Sequence, residues 1–516
     1  MDRLPLALKM NPGLDGLYAQ TFARSEHLPH FLDIISTIAL LEEPLPTSGI
    51  AELLGMSTYK VVDVLVNLQA IIQVPGTDDI PVTLFHTSLR DFLTTQSRSG
   101  RFFAHPRHHV RLFLRALEFQ LVLRRRKPDL LPSECNPAGA YALQYPLVHS
   151  SRGEGLFELT ELDSALQLYR EALRFHPGTA SSPELTYARA SVTHSRARLT
   201  RSLVNLDEAI SLYREAIDLY PSPHPYRSIS INKLGSTLMD RYRHTRTMAD
   251  LKEAISLCRD ALEHQPFPHP DRSSSLNTLS SALLMRYRRS GTKTDVEEAI
   301  SLYREAVDLR PSPDPHRSAS LNNLGNALRD RYLRTAAMAD LEESIALHRE
   351  ALELCPSPHP GRSWSLDSLG TVLLVYYQQT QTVADLEEGI SLHREALELR
   401  PHPHPHRASS LTALTISLHD LYNRTHTLPH LQEAIFHCEE LLAFHYPAGH
   451  QDRVEYSGVL TSLLEMRFDA TGQEEDLARI ARLEEEEIQL STCPSILDHI
   501  FRAIGWLKRS ILARGA

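Results

Sequence analysis

Three histidines alternate with prolines in the segment P-H-P-H-P-H-R, at His402, His404 and His406, and imidazole is a common metal ligand. A metal site needs ligands that converge on one point, whereas residues two apart on an extended, proline-rich segment diverge. The middle histidine position also recurs once in each copy of a longer repeat, which favours a role at a helix start. We therefore expect no metal ligand and no bound cofactor here.

His86, Ser88 and Asp91 lie within six residues and are the residue types of a hydrolase triad. Triad members come together from distant parts of a fold and work beside an oxyanion hole, with the nucleophile on a sharp turn. The local sequence has none of this context. We interpret the three residues as polar groups at a helix start and expect no catalytic residue in the chain.

The phosphate-binding pattern G-x-x-x-x-G-K-[ST] does not occur in the 516 residues of the sequence. In one large class of nucleoside triphosphatases, that loop supplies the backbone N–H groups that hold the phosphates. We therefore expect that this chain neither binds nor hydrolyses ATP or GTP, and that it is not an enzyme.

Charge and cysteine usage narrow the function classes further. The formal net charge is −10, which argues against a nucleic-acid binder driven by bulk charge. The five cysteines are odd in number, scattered and without C-x-x-C spacing, which indicates free thiols in a reducing compartment. The sequence has neither the apolar core of a signal peptide at its start nor an apolar run long enough to span a membrane, so we expect a cytoplasmic protein.

A unit of 45 residues repeats through most of the chain and would position the side chains of the histidine-proline segment. Its first apolar residue recurs at that interval, at Leu206, Leu251, Val296, Leu341, Leu386 and Leu431, with outlying copies from Leu162 and Leu477. One unit of this size cannot bury its own apolar face and must stack on its neighbours. The sequence thus predicts an all-α solenoid of helix hairpins over 156–490.

The copy that starts at Asp295 illustrates the expected fold of one unit. Asp295 and Glu298 have the spacing of a capping box, which predicts a short helix that begins there and stops before Pro311. The prolines that alternate from Pro311 predict an extended connector, with Asp314, or a histidine in other copies, as the N-cap of a longer second helix. Repetition predicts helices at 206–219, 226–244, 251–264, 271–289 and onward.

Several positions of this unit match a known repeat. Leu324-Gly325 supplies an L-G pair, Ala299 and Ala306 are small residues seven apart, and Pro311 follows five residues later. In these features the unit resembles the tetratricopeptide repeat, although 45 residues exceed the usual length of about 34. The long form is similar to the repeats of fungal proteins that join such arrays to NACHT domains or to caspase-like CHAT domains.

The resemblance implies a binding groove lined by the longer helix of each unit, which would hold a peptide or a partner protein. Trp364 is of special interest, because its column holds Ile229, Ser274, Ala319 and Ser409 elsewhere and so is not dictated by core packing. The partner-binding residues expected on this basis are Asn232, Ser236, Asn277, Ser281, Asn322, Asn326, Arg329, Trp364 and His419.

The first 127 residues have a different pattern. Helical spacing over 29–41, 49–54 and 58–72 precedes two strand-like segments on either side of a turn at 75–79, and three helices followed by a two-stranded wing is a winged-helix pattern. The third helix carries one lysine, Lys60, against Asp63, and the turn carries Asp78 and Asp79. Phosphate contacts need several basic residues, so we expect no DNA binding.

Four stretches of this region are similar to the tail of fungal NACHT-type signalling NTPases: L-D-G-L-Y at 14–18, A-L-L-E-E-P-L-P-T-S-G-I-A-E-L-L-G at 39–55, I-Q-V-P-G-T-D-D-I-P-V at 72–82 and F-H-T-S-L-R-D-F-L at 85–93. The resemblance implies a regulatory winged helix that packs on a nucleotide-binding core. We expect a winged-helix-like NACHT-tail domain at 1–127, a linker at 128–155, the repeat array at 156–490 and a C-terminal capping helix at 491–516.

Two functions remain open on these grounds. The first is a non-enzymatic protein-protein interaction scaffold whose groove binds a peptide or partner protein, with no nucleic acid and no membrane as partners. The alternative is a truncated piece of a fungal NLR-like signalling NTPase, or of a CHAT peptidase, whose catalytic domain is missing. A nucleic-acid binder ranks last because of the net charge.

Overall fold

The structure is a computed structural model. It describes residues 13–77, 80–127, 131–153, 156–174, 183–220, 225–269, 271–312, 314, 316–356, 359, 361–402, 404, 406–447 and 453–490. The capping helix expected at 491–516, with Trp506, lies outside these residues. The chain divides into two compact units, Met1–Gly291 and Thr292–Ala516.

The first unit opens with a bundle of short helices around one apolar core. Phe22, Phe31 and Phe92 meet in this core from three different helices, with ring centroids 5.7 Å (Phe22–Phe31) and 6.2 Å (Phe22–Phe92) apart. The helices are α1 (Gly13–Ser25), α2 (Phe31–Leu40), α3 (Thr47–Leu54), α4 (Thr58–Val66), α5 (Ser88–Thr94), α6 (Gln96–Ser99) and α7 (His108–Arg126).

A small antiparallel hairpin follows α4, as the alternating apolar residues predict. Strands β1 (Ile72–Gln73) and β2 (Thr83–Leu84) pair Ile72 with Leu84 and Gln73 with Thr83. Helix α4 ends at Val66, six residues before the predicted end, and a turn leads into β1. Asp78 and Asp79 of the predicted turn lie outside the described residues.

The segment expected as a linker is folded where the structure describes it. Residues 131–153 contain a 3-10 turn (Pro132–Glu134) and helices α8 (Pro137–Gln144) and α9 (Pro146–Arg152). Tyr141, Ala142 and His149 are buried in these helices. Tyr141 and Ala142 of helix α8 belong to the N-terminal core, and Ala138 is buried on the same face of the helix.

Helix pairs make up the rest of both units. In the first unit they are α10 (Leu159–Arg174), α11 (Pro183–Thr200), α12 (Leu203–Leu219), α13 (Pro225–Thr245), α14 (Met248–Glu263) and α15 (Arg272–Ser290). In the second they are α16 (Lys293–Asp308), α17 (Arg317–Thr335), α18 (Met338–Glu353), α19 (Arg362–Thr380), α20 (Val383–Glu398), α21 (Arg407–Thr425), α22 (Leu428–Glu440), α23 (Arg453–Thr471) and α24 (Glu474–Leu490).

We call α11, α13, α15, α17, α19, α21 and α23 the long helices, and the others of the array the short helices. Within each unit a long helix packs most extensively on the short helix that follows it, while successive long helices also touch. No strand occurs among the described residues of 160–490. The all-α solenoid of helix hairpins is therefore confirmed, with the long helix as the first member of each hairpin.

The N-caps of the short helices lie three residues before the predicted ones. Helix α14 starts at Met248 after the N-cap Thr247, so Asp250 lies inside its first turn. Asp250 is buried and accepts hydrogen bonds from Arg241 at 3.1 and 2.7 Å. Asp340 pairs with Arg331 in the same way at 2.8 and 2.7 Å. The predicted capping box is therefore wrong, because the aspartate holds the preceding long helix instead of the helix end.

The connectors between short and long helices are turns and not the extended segments predicted from their prolines. The N–H of Asp314 donates to Pro311 O at 2.9 Å, and the N–H of His404 donates to Pro401 O at the same distance. The Asp314 carboxylate accepts from the N–H of His316 at 2.7 Å, and His404 Nδ1 accepts from the N–H of His406 at 3.2 Å. These side chains close the turn just before the helix, two residues earlier than an N-cap would lie.

Candidate functional site

The long helices of the second unit carry a stripe of accessible residues along neighbouring helices. On α17 the stripe includes Ala319, Asn323 and Asn326, and on α19 it includes Trp364 and Thr371. Helix α17 touches α19, so residues 45 apart in the chain lie next to one another. We call this stripe, together with Ser409 and Ile416 on α21, the long-helix face.

Trp364 is the largest accessible side chain of this face. It lies in the first turn of α19 and is 43% exposed. Its ring meets His406, the residue before α21, edge to face at a centroid distance of 5.8 Å. The aromatic side chain is thus in contact with His406 on one side and open to solvent on the other.

Two of the expected groove residues, Asn232 and Asn322, do not reach the face. Both are buried, Asn322 at 2% exposure. Asn322 donates to Ser365 Oγ of the next long helix at 2.8 Å, and Asn232 makes the equivalent bond to Ser275. Their assignment to the groove is wrong, because both side chains turn into the contact between adjacent long helices.

Four more of the expected groove residues are half-buried, three of them in the first unit. Ser236, Ser281 and Asn326 are half-buried at equivalent positions of three long helices, and Asn277 is half-buried and donates to Ser273 O of its own helix at 2.8 Å. Whether any of them touches a partner stays a prediction.

Arg329 and His419 occupy the same column and each meets the aspartate that follows it. Arg329 Nη2 lies 3.1 Å from the Asp330 carboxylate, and His419 Nδ1 lies 3.3 Å from the Asp420 carboxylate. Asp330 is buried at 7% exposure. The charge of Arg329 is therefore offset by a neighbouring buried carboxylate.

A buried polar network behind Trp364 was missed in the sequence. The Asp367 carboxylate accepts from His393 Nδ1 at 3.1 Å and pairs with the Arg400 guanidinium at 3.2 Å, while Arg400 also donates to Ser410. Burial alone would raise the pKa of Asp367, but the His393 hydrogen bond and the Arg400 charge hold it below its ordinary value. The sequence signal was the change from Asn322 to Asp367 in one column.

His348 occupies the matching place one repeat earlier. Its Nδ1 donates to Asn322 Oδ1 at 2.9 Å, while its Nε2 is buried without a hydrogen-bond partner beside Gly325. Burial, and then the charge of Arg329, lowers the pKa of His348 to about 3. The imidazole is therefore a neutral packing group.

A repeated arginine, also missed, ties each hairpin to the helix before it. Arg317 Nη1 donates to Val307 O at 3.0 Å and to Arg310 O at 2.9 Å, at the end of the preceding short helix. The same side chain pairs with Glu350 on the following short helix at 2.9 Å. The residue recurs every 45 positions, as Arg227, Arg272, Arg317, Arg362 and Arg407.

The histidine motifs considered at the outset as candidate catalytic or metal sites make contacts that belong to the fold. His86 Nδ1 accepts from the Ser88 N–H at 3.0 Å, which is the arrangement of a helix start, as we interpreted it. The His404 and His406 rings have centroids 5.9 Å apart. Among the described side chains, no group of three histidine, cysteine, aspartate or glutamate residues is placed to hold a metal ion.

Two further observations concern thiols and membranes. Cys135, Cys258, Cys355 and Cys438 are free, and Cys493 lies outside the described residues. Within the part of the chain that the structure describes, no helix has the length and apolar character needed to cross a bilayer.

The solved structures similar to this chain include the following three. A Signal Transduction ATPase with Numerous Domains (STAND) protein with a tetratricopeptide repeat sensor, from Pyrococcus horikoshii, is 15% identical with a TM-score of 0.45, over 98% of this chain and 67% of that one. A Podosopora anserina putative kinesin light chain with nearly identical TPR-like repeats is 21% identical with a TM-score of 0.30, over 40% and 97%. The human IFIT1 dimer with m7Gppp-AAAA is 13% identical with a TM-score of 0.48, over 95% of both.

Sequence comparison identifies the repeat type directly. No curated protein sequence matches the chain significantly. Residues 229–271 and 317–361 match the family described as tetratricopeptide repeat. Each matched segment contains most of one long helix and the short helix that follows it, which is the same hairpin that the packing defines. The array of this chain therefore contains tetratricopeptide repeats.

Proposed function

We propose that this chain is a non-enzymatic interaction scaffold that binds a peptide or partner protein on the long-helix face of its second unit. The observation that carries the proposal is the contrast between columns. The Ser320, Ser365 and Ser410 column behind the face holds one residue type and is buried, whereas the column of Trp364 changes type in each repeat and is exposed in the second unit. Packing explains the first column but not the second.

The chemistry of the face suits an extended peptide. Trp364 and Ile416 offer apolar surface at 43% and 42% exposure, and the half-buried polar residues Asn326 and Thr371 occupy the positions of α17 and α19 that are equivalent to Ile416. Aromatic residues in partly enclosed positions are enriched among residues that dominate binding energy. Polar groups beside them can bond to the backbone of a ligand and set its register.

Buried polar contacts behind the long-helix face would hold it in one conformation before a ligand binds. The buried Asp367, His393 and Arg400 network and the Asn322–Ser365 bond fix the spacing of adjacent long helices. A surface that is already ordered loses less conformational entropy when a ligand binds. This property favours a scaffold that recognises its partner without large rearrangement.

The test uses a random peptide library selected against the purified full chain. Selected peptides should lose about 2 kcal/mol of binding free energy with Trp364→Ala, because a central aromatic anchor is removed. The melting temperature should change little, since Trp364 is 43% exposed. Binding is measured by fluorescence anisotropy and stability by circular dichroism.

Phe436→Ala is the matched control, because Phe436 is an exposed aromatic residue on short helix α22, away from this face. It should leave peptide affinity unchanged. The proposal fails if no peptide is selected, or if Trp364→Ala and Phe436→Ala affect the selected peptides equally. A large loss of stability in Trp364→Ala would assign the residue to the core.

We also propose that the first 127 residues form a winged-helix-like domain of the type found at the tail of fungal NACHT NTPases, in a cytoplasmic protein. What supports it is the order of elements, with α2, α3 and α4 followed by the β1–β2 hairpin. The four sequence stretches at 14–93 are the second support.

A further inference from the structure

Arginines near the ends of two long helices each lie between carboxylates of two short helices. Arg331 of α17 donates to the Asp340 carboxylate of α18 at 2.8 and 2.7 Å, and to Glu297 of α16 at 2.9 Å. Arg241 of α13 is held in the same way, by Asp250 at 3.1 and 2.7 Å and by Asp207 at 2.9 Å. Each arginine thus joins the short helices before and after its own long helix. We call such a pair of carboxylates an arginine clamp.

The next hairpin of the second unit keeps both carboxylates but lacks the arginine. The equivalent positions hold Glu342 on α18, Asp385 on α20 and, in place of the arginine, Tyr376 on α19. Among the residues that the structure describes, no cation pairs with Glu342 or Asp385. Asp385 is half-buried, whereas its counterpart Asp340, which holds an arginine, is 6% exposed. We call Glu342, Tyr376 and Asp385 the open clamp.

Ordinary helix stabilisation accounts for only one of these carboxylates. Asp385 lies in the first turn of α20, where the helix dipole favours a negative charge. Glu342 is the fifth residue of α18, beyond its first turn. In the hairpin that follows, the arginine position holds Leu421 and the aspartate position holds His430, so stacking of the repeats does not require the aspartate. The paired carboxylates of the open clamp therefore need a further explanation.

The chain around the open clamp is acidic. Residues 363–393 contain no lysine or arginine and four acidic residues. Two of the four already hold arginines, as Asp367 does with Arg400 and Glu388 with Arg349. Two carboxylates that can reach one guanidinium repel each other when no cation lies between them. A positively charged ligand therefore complements the charge of this site.

We propose that the open clamp binds an arginine side chain of a partner protein. The guanidinium takes the place that Arg331 fills in the preceding hairpin, with two parallel hydrogen bonds to Asp385 and a third to Glu342. A planar guanidinium has the fork of donors that such a contact needs, whereas the ammonium group of lysine does not. Tyr376, which replaces the arginine of the other clamps, adds an aromatic ring whose face attracts a cation.

Access and ligand number favour an arginine over a metal ion. Glu342 is exposed, and Tyr376 and Asp385 are half-buried, so a side chain from outside can reach both carboxylates. The exposed residues Gln378 and Gln379 at the end of α19 carry no charge that would compete with it. Calcium binds about six to eight oxygen atoms. Among the described side chains, however, no three acidic, histidine or cysteine residues are grouped to hold a metal ion.

The experiment selects linear peptides that carry one fixed arginine from a displayed library, with the purified full chain as the target. The library is first depleted on Tyr376→Arg, whose own arginine fills the clamp, so that peptides bound elsewhere are removed. We expect the remaining peptides, labelled with fluorescein, to bind the parent chain saturably in fluorescence anisotropy. Asp385→Asn should weaken binding at least about tenfold, because the bidentate partner of the guanidinium is lost, and Glu342→Gln should weaken it less. If Tyr376→Arg unfolds, the double variant Glu342→Gln and Asp385→Asn replaces it in the depletion.

The matched control for Glu342→Gln is Glu297→Gln, which removes the same charge from a clamp that Arg331 already fills. It should bind the selected peptides like the parent chain. Replacing the peptide arginine with lysine should weaken binding, and replacing it with citrulline, which has a similar shape and no charge, should abolish it. The proposal is overturned if no peptide remains after depletion, if Glu342→Gln and Glu297→Gln behave alike, or if the lysine or citrulline peptide binds equally well.

Two further outcomes would also overturn it. Binding of calcium ions that Asp385→Asn abolishes, measured by titration calorimetry, would assign the carboxylates to a metal ion. Self-association that Asp385→Asn abolishes, measured by sedimentation, would assign the open clamp to contacts between copies of the chain. Tyr376 lies twelve residues after Trp364 on α19, about 18 Å along the helix axis at about 1.5 Å per residue. Peptides whose binding survives Trp364→Ala therefore test the clamp alone, and its failure leaves the proposed function untouched.

Discussion

Gly325 lies at a tightly packed position where there is no room for a side chain. A Cβ at this position would lie 2.6 Å from His348 Nε2, and the same holds at 2.7 Å for Gly370 and His393. His348 cannot swing away freely, because it is buried and its Nδ1 donates to Asn322. Where a repeat has the L-G pair, the glycine therefore makes room for a side chain of the following short helix.

Gly325→Ala should lower the free energy of unfolding by about 2 kcal/mol, since the added methyl overpacks a buried contact. Chemical denaturation followed by circular dichroism measures the change. Gly458→Ala is the control, because a Cβ there meets nothing within 4 Å. Gly458 lies inside α23, so alanine should stabilise by about 0.5–1 kcal/mol through helix propensity. Equal effects of the two substitutions would refute the packing explanation.

At the scale of elements, the repeated arginine joins three successive helices. Arg317 begins a long helix, caps the carbonyl groups at the end of the preceding short helix and pairs with Glu350 on the following one. One guanidinium can do this because its five N–H donors are fixed in a plane. The column of arginines thus connects each hairpin to the end of the short helix before it.

Arg317→Ala should destabilise the chain by about 2 kcal/mol, because carbonyl groups at a helix end lose charge-assisted partners. Arg317→Lys should recover little, since an ammonium group cannot reproduce the fork of donors. The control is Arg304→Ala, whose exposed pair with Glu343 is worth about 0.5 kcal/mol or less. A loss of stability in Arg304→Ala as large as in Arg317→Ala would contradict this interpretation.

At the scale of the whole molecule, a buried histidine cluster in the first unit couples stability to pH. His109 and His149 share a hydrogen bond of 2.8 Å between their Nδ1 atoms, and Tyr141 OH bonds to His149 Nε2 at 2.7 Å. Burial, and then the charge of Arg152 and neighbouring imidazoles, lowers the pKa of His109 to about 4 and that of His149 to about 3. His108, near Arg111 and Asp33, has its pKa lowered to about 4, chiefly by burial.

These histidines are neutral in the folded chain and take up protons when it unfolds. Their folded pKa values lie below the unfolded value of about 6.5, so their contribution to stability is complete above that pH and is lost as the pH falls towards 4. We expect the free energy of unfolding, measured by urea denaturation, to fall between pH 7 and pH 5. His108→Gln should reduce this slope, whereas His244→Gln, at an exposed site, should not. A slope that is unchanged in His108→Gln would exclude the cluster as its origin.

Nucleotide binding tests the alternative that the chain carries out part of an NTPase cycle. Since the sequence contains no phosphate-binding glycine loop, titration calorimetry with ATP or GTP and magnesium should give no saturable heat. Stoichiometric binding of either nucleotide would overturn the assignment as a non-enzymatic scaffold. Glu-to-Gln changes in the exposed Arg–Glu pairs of the short helices should not alter this result.

The sequence by itself determined the order and type of the elements. Apolar residues at helical spacing, recurring every 45 positions with prolines between them, dictate alternating helices through local sterics and through the need to bury one face. These forces act within about 20 residues, which is why the long and short helices were predicted to within a few residues. The L-G pair is likewise a local sequence feature, and it was enough to identify the repeat type.

Only the tertiary structure decided which polar residues face a partner and which hold the array together. Asn322 meets Ser365, 43 positions away in the next repeat, and Asp367 meets His393 and Arg400, 26 and 33 positions away. The spacing of residues within one helix cannot tell whether a polar residue lines a groove or contacts the neighbouring helix. Both kinds of residue occupy adjacent polar positions on the helix surface. The direction in which each polar side chain points depends on the packing of adjacent long helices, which buries Leu324 and Leu369. This packing is a property of the stacked array that no single repeat contains.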